Sequence, residues 1–306
     1  MTKRIIFFGT GDFALPILKK LFEKYSIISI VTQPDKQKGR GRKKTVSDIK
    51  KTGIEFGLEI LQPEQLSDQN FRDHMNKLAP EIIVVAAYGK IVPKWILDLP
   101  SGGCLNVHAS LLPRWRGASP IQTAILEGDN KTGVTIMLMD EGLDTGPILS
   151  QRATTIELTD TAGALTTRLS LLGAELLIET LTRFSKGEII PIPQKNDEAT
   201  HCKLIKKENA LLDFNKPSHI IERKIRAYNP WPVCFMDYNH IQLRIFKAEI
   251  SFTRKLRPFE RGIIGKNPAV GTADQDLIIQ EVQMPGKKVV SGRQFLNGAR
   301  DWLRYE

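Results

Sequence analysis

Across residues 1–185, short β-rich apolar runs alternate with segments whose apolar residues recur at helical spacing, a pattern that excludes all-α and all-β folds for this stretch. Residues 3–8, 27–32, 82–87 and 104–108 read as strands, and 13–25, 46–57 and 70–78 as the helices between them. Residues 133–139 and 148–156 add two strands, and 161–185 one long helix ending at Gly187. The fold class is therefore α/β, with a mostly parallel, doubly wound sheet whose ligands bind beyond the carboxyl ends of the strands. Residues 187–207, with Pro191, Pro193 and little periodicity, read as a linker. Beyond them, after one helix over 217–228, short alternating segments at 242–250, 262–265 and 277–283 suggest a small β-barrel. The expected division is 1–186, a linker at 187–207, and 208–306.

With 41% hydrophobic and 25% charged residues, the chain is a folded globular protein rather than a disordered one. Only four apolar residues follow Met1-Thr2-Lys3-Arg4 before Gly9, and no apolar run is long enough to cross a bilayer, so a cytoplasmic location is expected. The three cysteines, Cys104, Cys202 and Cys234, are widely spaced, which argues against both a disulfide framework and a metal-binding Cys-x-x-Cys pair; no metal is expected. The formal charge of +10 is unevenly spread. Residues 34–51 alone hold eight basic and two acidic side chains, and residues 187–306 carry 20 basic against 14 acidic. Such a distribution fits either a polyanionic partner such as RNA or a solvated basic surface.

Gly9-Thr10-Gly11-Asp12-Phe13-Ala14 fits a relaxed dinucleotide turn, but the acidic residue that pattern needs about twenty positions on is missing: the chain there reads Val31-Thr32-Gln33-Pro34. The glycines are read as a tight turn. The chemistry lies elsewhere. Asn106 and His108 alternate on one strand and so share a face, and Gly142-Leu143-Asp144-Thr145-Gly146 follows on what is either a functional loop or a polar hairpin turn. An amide, an imidazole and a carboxylate with no nucleophile beside them suit a reaction whose substrate brings its own nucleophile. Asp144 would orient the His108 ring, fix its tautomer and stabilise its cationic form.

Asn106-Val107-His108, Ser110-Leu111-Leu112-Pro113-Arg114-Trp115-Arg116-Gly117-Ala118, Pro120-Ile121-Gln122, Gly133-Val134-Thr135-Ile136-Met137 and the Gly142–Gly146 segment closely resemble the 10-formyltetrahydrofolate-dependent formyltransferases. Outside that core, Thr32-Gln33-Pro34-Asp35 with Gly39-Arg40-Gly41-Arg42, Val85-Ala86-Ala87-Tyr88-Gly89, and Ile225-Arg226-Ala227-Tyr228-Asn229-Pro230-Trp231-Pro232 resemble the branch acting on methionyl-tRNA. Gly11, where the family commonly has Pro, and Cys202, where a small alanine is usual, depart from the pattern. The resemblance implies a Rossmann-like catalytic domain, a linker and a C-terminal OB-like, tRNA-binding β-barrel. It implies formyl transfer from 10-formyltetrahydrofolate to initiator methionyl-tRNA in translation initiation, by a monomer, with Asn106, His108 and Asp144 as the catalytic set. The folate is then expected against Ala86, Ala87, Tyr88, Gly89, Lys90, Ile91 and Val92, against Ser110, Leu111, Leu112 and Pro113, and against Asp140. The tRNA is expected at the basic loop, through Lys36, Lys38, Arg40, Arg42, Lys43 and Lys44. Two other functions share these features: a formyltransferase acting on a small amine, and an RNA-binding protein descended from an enzyme. The first leaves the basic segments without a purpose, and the intact trio argues against the second.

Overall fold

The computed structural model describes residues 3–38, 43–253 and 255–303. In the first part of the chain run β1 (Arg4–Gly9), α1 (Ala14–Lys24), β2 (Ser26–Val31), β3 (Lys36–Lys38), β4 (Lys43–Thr45), α2 (Asp48–Glu55), β5 (Glu59–Leu61), α3 (Gln69–Leu78) and β6 (Ile82–Ala86). There follow α4 (Lys94–Leu97), β7 (Cys104–His108), β8 (Arg116–Gly117), α5 (Pro120–Glu127), β9 (Lys131–Leu138), β10 (Ile148–Thr155), α6 (Ala162–Ser185) and β11 (His201–Cys202).

The central sheet has the order β10-β9-β7-β6-β1-β2-β5. Its five strands from β7 to β5 are parallel, while β9 runs antiparallel to both β7 and β10. Strands covered on both faces must be apolar throughout: Ile5, Ile6, Phe7 and Phe8 of β1 and Ile82, Ile83 and Val84 of β6 are fully buried. Edge strand β10 instead buries only Leu149 fully and from Ser150 on alternates partly buried and exposed positions. The chain builds outward from β1 through β2 to β5, then returns to the other side of β1 for β6 and β7, which puts a topological switch point between β1 and β6. The Ala86–Val92 stretch leaves the sheet there.

Two of the helices between strands open on a side-chain cap. Ser47 accepts the amide of Lys50 at 3.2 Å to open α2, and Asp68 accepts that of Phe71 at 2.9 Å to open α3. The three-residue β5 and the short β8, β11 and α4 are too brief to carry a readable period.

By packing, residues 1–120, 131–155 and 166–203 form one compact unit, and 121–130, 156–165 and 204–306 form another. Residues 187–203, expected as part of a linker, are thus built into the first unit. Ile192 pairs antiparallel with Ile148, and β11 pairs parallel with β8, so these backbone bonds follow no repeating pattern that a sequence could display.

The second unit holds α7 (Ser218–Ala227), β12 (Cys234–Tyr238), β13 (Ile241–Ile250), β14 (Arg261–Ile264), β15 (Asn267–Gly271), β16 (Asp276–Gln283), β17 (Val290–Ser291) and α8 (Gly292–Gly298). The sequence suggests a small β-barrel here; the strands form an antiparallel sheet with path β12-β13-β16-β15-β14 and β17 added on β16. Trp302 is only 1% exposed, donates its indole N–H to the Gly262 carbonyl at 2.7 Å, and packs its ring on Tyr238 and Phe295. Trp302→Ala should destabilise this unit by about 3–5 kcal/mol through the cavity it leaves. Denaturant unfolding measures this, and a loss under about 1 kcal/mol would contradict the packing described.

Candidate active site

β7 presents Asn106 and His108 on one face, as a strand's two-residue period requires. It lies between β6, where Asn106 pairs with Val85, and β9, where His108 pairs with Thr135. Both side chains therefore stand at the carboxyl end of the sheet. The His108 ring is 6% exposed, and its Nε2 lies 3.0 Å from the Trp115 carbonyl oxygen. A carbonyl only accepts, so Nε2 carries the proton and donates it there. Nδ1 faces Asp144 Oδ1 at 3.6 Å, within ion-pair range but too far for a hydrogen bond. The ring's tautomer is thus set by a backbone carbonyl rather than by Asp144, and Nδ1 is the nitrogen open to proton exchange.

Asp144 holds the group together. Its Oδ1 accepts the Asn106 amide at 3.2 Å, and its Oδ2 accepts the Gly117 backbone N–H at 2.8 Å. It sits at φ 54°, a left-handed conformation unusual for a residue with a side chain, within a turn that Asp140 braces. Asp140 Oδ1 accepts the Gly142 N–H at 3.1 Å and the Thr145 hydroxyl at 2.6 Å. Opposite, Gly117 has φ 119°, and a Cβ there would collide with the Cys202 carbonyl oxygen. The turn read from sequence as either functional or merely polar thus carries a carboxylate into contact with both candidate residues of β7.

The residues expected to meet folate divide into supports and accessible positions. Ala86, Tyr88 and Val92 are buried, whereas Ala87, Gly89 and Ile91 are exposed, Ile91 to 88%. Tyr88 packs edge-on against Phe8, its hydroxyl is buried without a hydrogen-bond partner, and burial pushes its pKa up to about 12. Lys90 turns back to cap the carbonyls of Pro63 and Glu64 at 2.9 and 2.8 Å. Gln33 donates to the Tyr88 carbonyl at 2.8 Å and so ties this stretch to the end of β2. Ser110 and Leu112, 1% and 3% exposed, are held from inside by Thr135. That hydroxyl donates to the Ser110 carbonyl at 2.7 Å and accepts the Leu112 N–H at 3.1 Å. Leu112 therefore packs inward instead of offering the apolar surface expected of it, while Leu111, Pro113 and Asp140 keep some exposure.

At the first turn Gly11 adopts φ 80°, as a tight turn requires. Asp35 is engaged by Lys50 at 2.7 Å and by Gln62 at 3.0 Å, in an arrangement that secures the chain entering the basic run. The run was expected as a loop. Its described ends form an antiparallel ribbon instead, Lys36 opposite Thr45, Gln37 opposite Lys44 and Lys38 opposite Lys43, while Arg40 and Arg42 lie outside the described residues. Backbone supports such as the Trp115 carbonyl and the Gly117 amide left no trace in the sequence reading, because every residue type offers the same backbone atoms. Gln194 lies within the segment that reads in sequence as a linker, where neither its type nor its spacing signals its contacts with the Asp144 turn. Among the described residues no group of His, Cys, Asp and Glu side chains is arranged to hold a metal ion, and no helix is long and apolar enough to cross a membrane.

An amide, an imidazole and a carboxylate at the strand ends of a mostly parallel sheet define a group-transfer enzyme with a Rossmann-like core. Residues 3–181 match the family described as Formyl transferase, and residues 204–300 match Formyl transferase, C-terminal domain. Methionyl-tRNA formyltransferase of Caldanaerobacter subterraneus subsp. tengcongensis is 44% identical over 96% of each chain. That of Pseudoalteromonas translucida is 42% identical over 98% of this chain and 95% of its own. The chain belongs to the methionyl-tRNA formyltransferase family. Its fold is shared with an N-formyltransferase from Helicobacter canadensis solved with folinic acid and dTDP-3-aminofucose, at a TM-score of 0.68 and 20% identity over 93% of this chain and 100% of that one. HypX from Aquifex aeolicus, solved with tetrahydrofolic acid, shares it at a TM-score of 0.67 and 16% identity; 99% of this chain aligns with 48% of HypX, so this chain spans about half of HypX's length.

Cys202, one of the departures from the family pattern, is buried beside the site. Its sulfur accepts the Ser119 N–H at 3.3 Å and lies 3.5 Å from the Trp115 carbonyl oxygen. Burial raises the pKa of its thiol, and pushes those of Cys104 and Cys234 up to about 12. All three should resist a thiol reagent at pH 8 in the native protein and react together on unfolding; a fast-reacting native thiol would contradict this packing.

Proposed function

We propose that this protein transfers the formyl group of 10-formyltetrahydrofolate to the α-amine of the methionine carried by initiator tRNA, with Asn106, His108 and Asp144 as its catalytic residues. The observation that carries the reading is the Asp144 carboxylate, which draws Asn106, His108 and the Gly117 amide to one point at the carboxyl end of β7. Family membership over nearly the whole chain supplies the donor and the acceptor.

The reaction forms a bond between the amine nitrogen and the formyl carbon and breaks the bond from that carbon to N10 of the folate. One proton leaves the attacking nitrogen and one arrives at N10, so the site needs a donor for the oxyanion and a proton relay, but no external acid or base. Asn106 has two amide N–H groups and commits one to Asp144, leaving the other for the developing oxyanion. His108 has Nε2 committed to the Trp115 carbonyl, which leaves Nδ1 to exchange the proton, with Asp144 alongside. The exposed Ala87, Gly89, Ile91 and Asp140 and the partly exposed Leu111 and Pro113 meet the folate, while Ala86, Tyr88, Lys90, Val92, Ser110 and Leu112 hold those positions from behind. Lys36, Lys38, Arg40, Arg42, Lys43 and Lys44 meet the acceptor end of the tRNA, and the basic second unit, residues 208–306, attracts its body. In this reading the enzyme works as a monomer in the cytoplasm.

The test is formylation of charged initiator tRNA by 10-formyltetrahydrofolate, set against uncharged tRNA and free methionine. Equal use of free methionine, or no transfer to the charged tRNA, would contradict the proposal. Asn106→Ala, His108→Ala and Asp144→Asn should each lower kcat by roughly 10²-fold or more while folate binding is retained, because their interactions strengthen only as charge develops. Near-normal turnover in any of the three would reject the role given to that residue.

A further inference from the structure

The segment that follows α6 crosses the face of the first unit beside Asp144, and one of its side chains holds both of the turns on which the trio depends. Gln194 Oε1 accepts from Arg116 Nε at 3.0 Å and from Arg116 Nη2 at 2.8 Å. Its Nε2 donates to the backbone carbonyls of Asp144 and Gly146 at 2.9 and 2.7 Å. The amide can lie only one way round: a guanidinium only donates and a carbonyl only accepts, so exchanging oxygen and nitrogen would turn four attractions into four repulsions.

Arg116 is 4% exposed, and its third contact is the Asn196 side-chain oxygen at 2.9 Å. Its charge is thus met by amide oxygens of the crossing segment, with no carboxylate within ion-pair range among the described residues. Thr200 secures the same turn from the same segment: its hydroxyl accepts the Trp115 N–H at 2.9 Å and its carbonyl accepts the Arg116 N–H at 2.9 Å. The Trp115 carbonyl anchors His108, and the Gly117 N–H anchors Asp144. Gln194 therefore bridges the turn that carries the carboxylate and the turn that orients the imidazole.

We propose that Gln194 is a positioning residue for formyl transfer, holding the Asp144–Gly146 turn in register with the Trp115–Gly117 turn so that Asp144 faces Asn106 and His108. It reaches no reacting atom itself, and the assignment rests on the catalytic reading of the trio given above. A carboxylate misplaced by about 1 Å is enough to cost on the order of 10²-fold in rate.

Gln194→Glu separates the two halves of the bridge. A carboxylate keeps both contacts to Arg116 and adds a charge pair there, but loses both donors and sets an oxygen against the Asp144 and Gly146 carbonyls. Gln194→Ala loses both halves. In steady-state formylation of charged initiator tRNA, both variants should lose about 10- to 100-fold in kcat, with KM for donor and for tRNA within about twofold of native. The thermal midpoint of the Glu variant should stay close to native. The decisive measurement is the pair of changes in one chain: if Gln194 acts through Asp144, adding Gln194→Glu to Asp144→Asn lowers single-turnover rates no further, whereas a merely structural loss would repeat its full factor in both backgrounds. Full kcat in Gln194→Glu, or the same fractional loss in both backgrounds, overturns the assignment while leaving the formyltransferase reading intact. An unaltered protein unable to formylate charged tRNA overturns the functional reading, and this assignment with it.

Discussion

The Asp144 carboxylate is the point on which the site's geometry depends. It is only 13% exposed, and such a group must find partners for its oxygens or carry the cost of desolvation. It finds them on separate segments: Asn106 on β7 and the Gly117 backbone on β8. Because each partner belongs to a different stretch of chain, satisfying the carboxylate and assembling the site are the same event. Hydrogen bonds to a charged group contribute about 1.5–3 kcal/mol each, enough to hold a left-handed Asp in place against its backbone preference.

The sheet supplies the frame for that event. Parallel strands buried on both faces end together, and their carboxyl ends form a rim where loops diverge around the switch point between β1 and β6. Above that rim the interior is closed by groups that only support: Thr135, with no exposed surface, serves Ser110 and Leu112 at once, and Gln33 reaches the Tyr88 carbonyl. Side chains that look in sequence like ligand contacts, Leu112 and Tyr88 among them, are spent on this layer. Positions between them on the chain are the ones left outward, so the alternation of buried and exposed residues along 86–92 separates what supports the rim from what can face a ligand.

Period and residue type made much of this legible before any coordinates. β7 lies at the expected 104–108, the strands β1, β2 and β6 fall within a residue of expectation, and Asp144 lies beside Asn106 and His108. Reading failed where identity carries no signal. The orienter of His108 is a carbonyl of Trp115, and any residue at that position would offer the same oxygen. The segment 187–203 read as a linker because its regularities are pairings with Ile148 and with β8, which leave no period in the chain. Gln194 between Pro193 and Lys195 is an ordinary linker residue until the carbonyls of Asp144 and Gly146 are seen against it. Chemistry of side chains is written in the sequence; chemistry borrowed from backbone is not.

The choice of a neutral carbonyl as the partner of Nε2 has its own logic. Bonded to a carbonyl, Nε2 keeps its proton, and the neutral ring is fixed in the tautomer that leaves Nδ1 unprotonated. With Nε2 committed to Trp115 and Asp144 standing 3.6 Å from Nδ1, the carboxylate acts on the ring through its charge without a hydrogen bond to Nδ1. That separation demands that the Trp115 carbonyl and the Asp144 side chain be placed independently of each other and still in register. The crossing segment meets both demands, Thr200 gripping the Trp115 amide and Gln194 the Asp144 carbonyl. Residues of a segment that reads in sequence as a linker thus also help set the spacing between the His108 ring and Asp144.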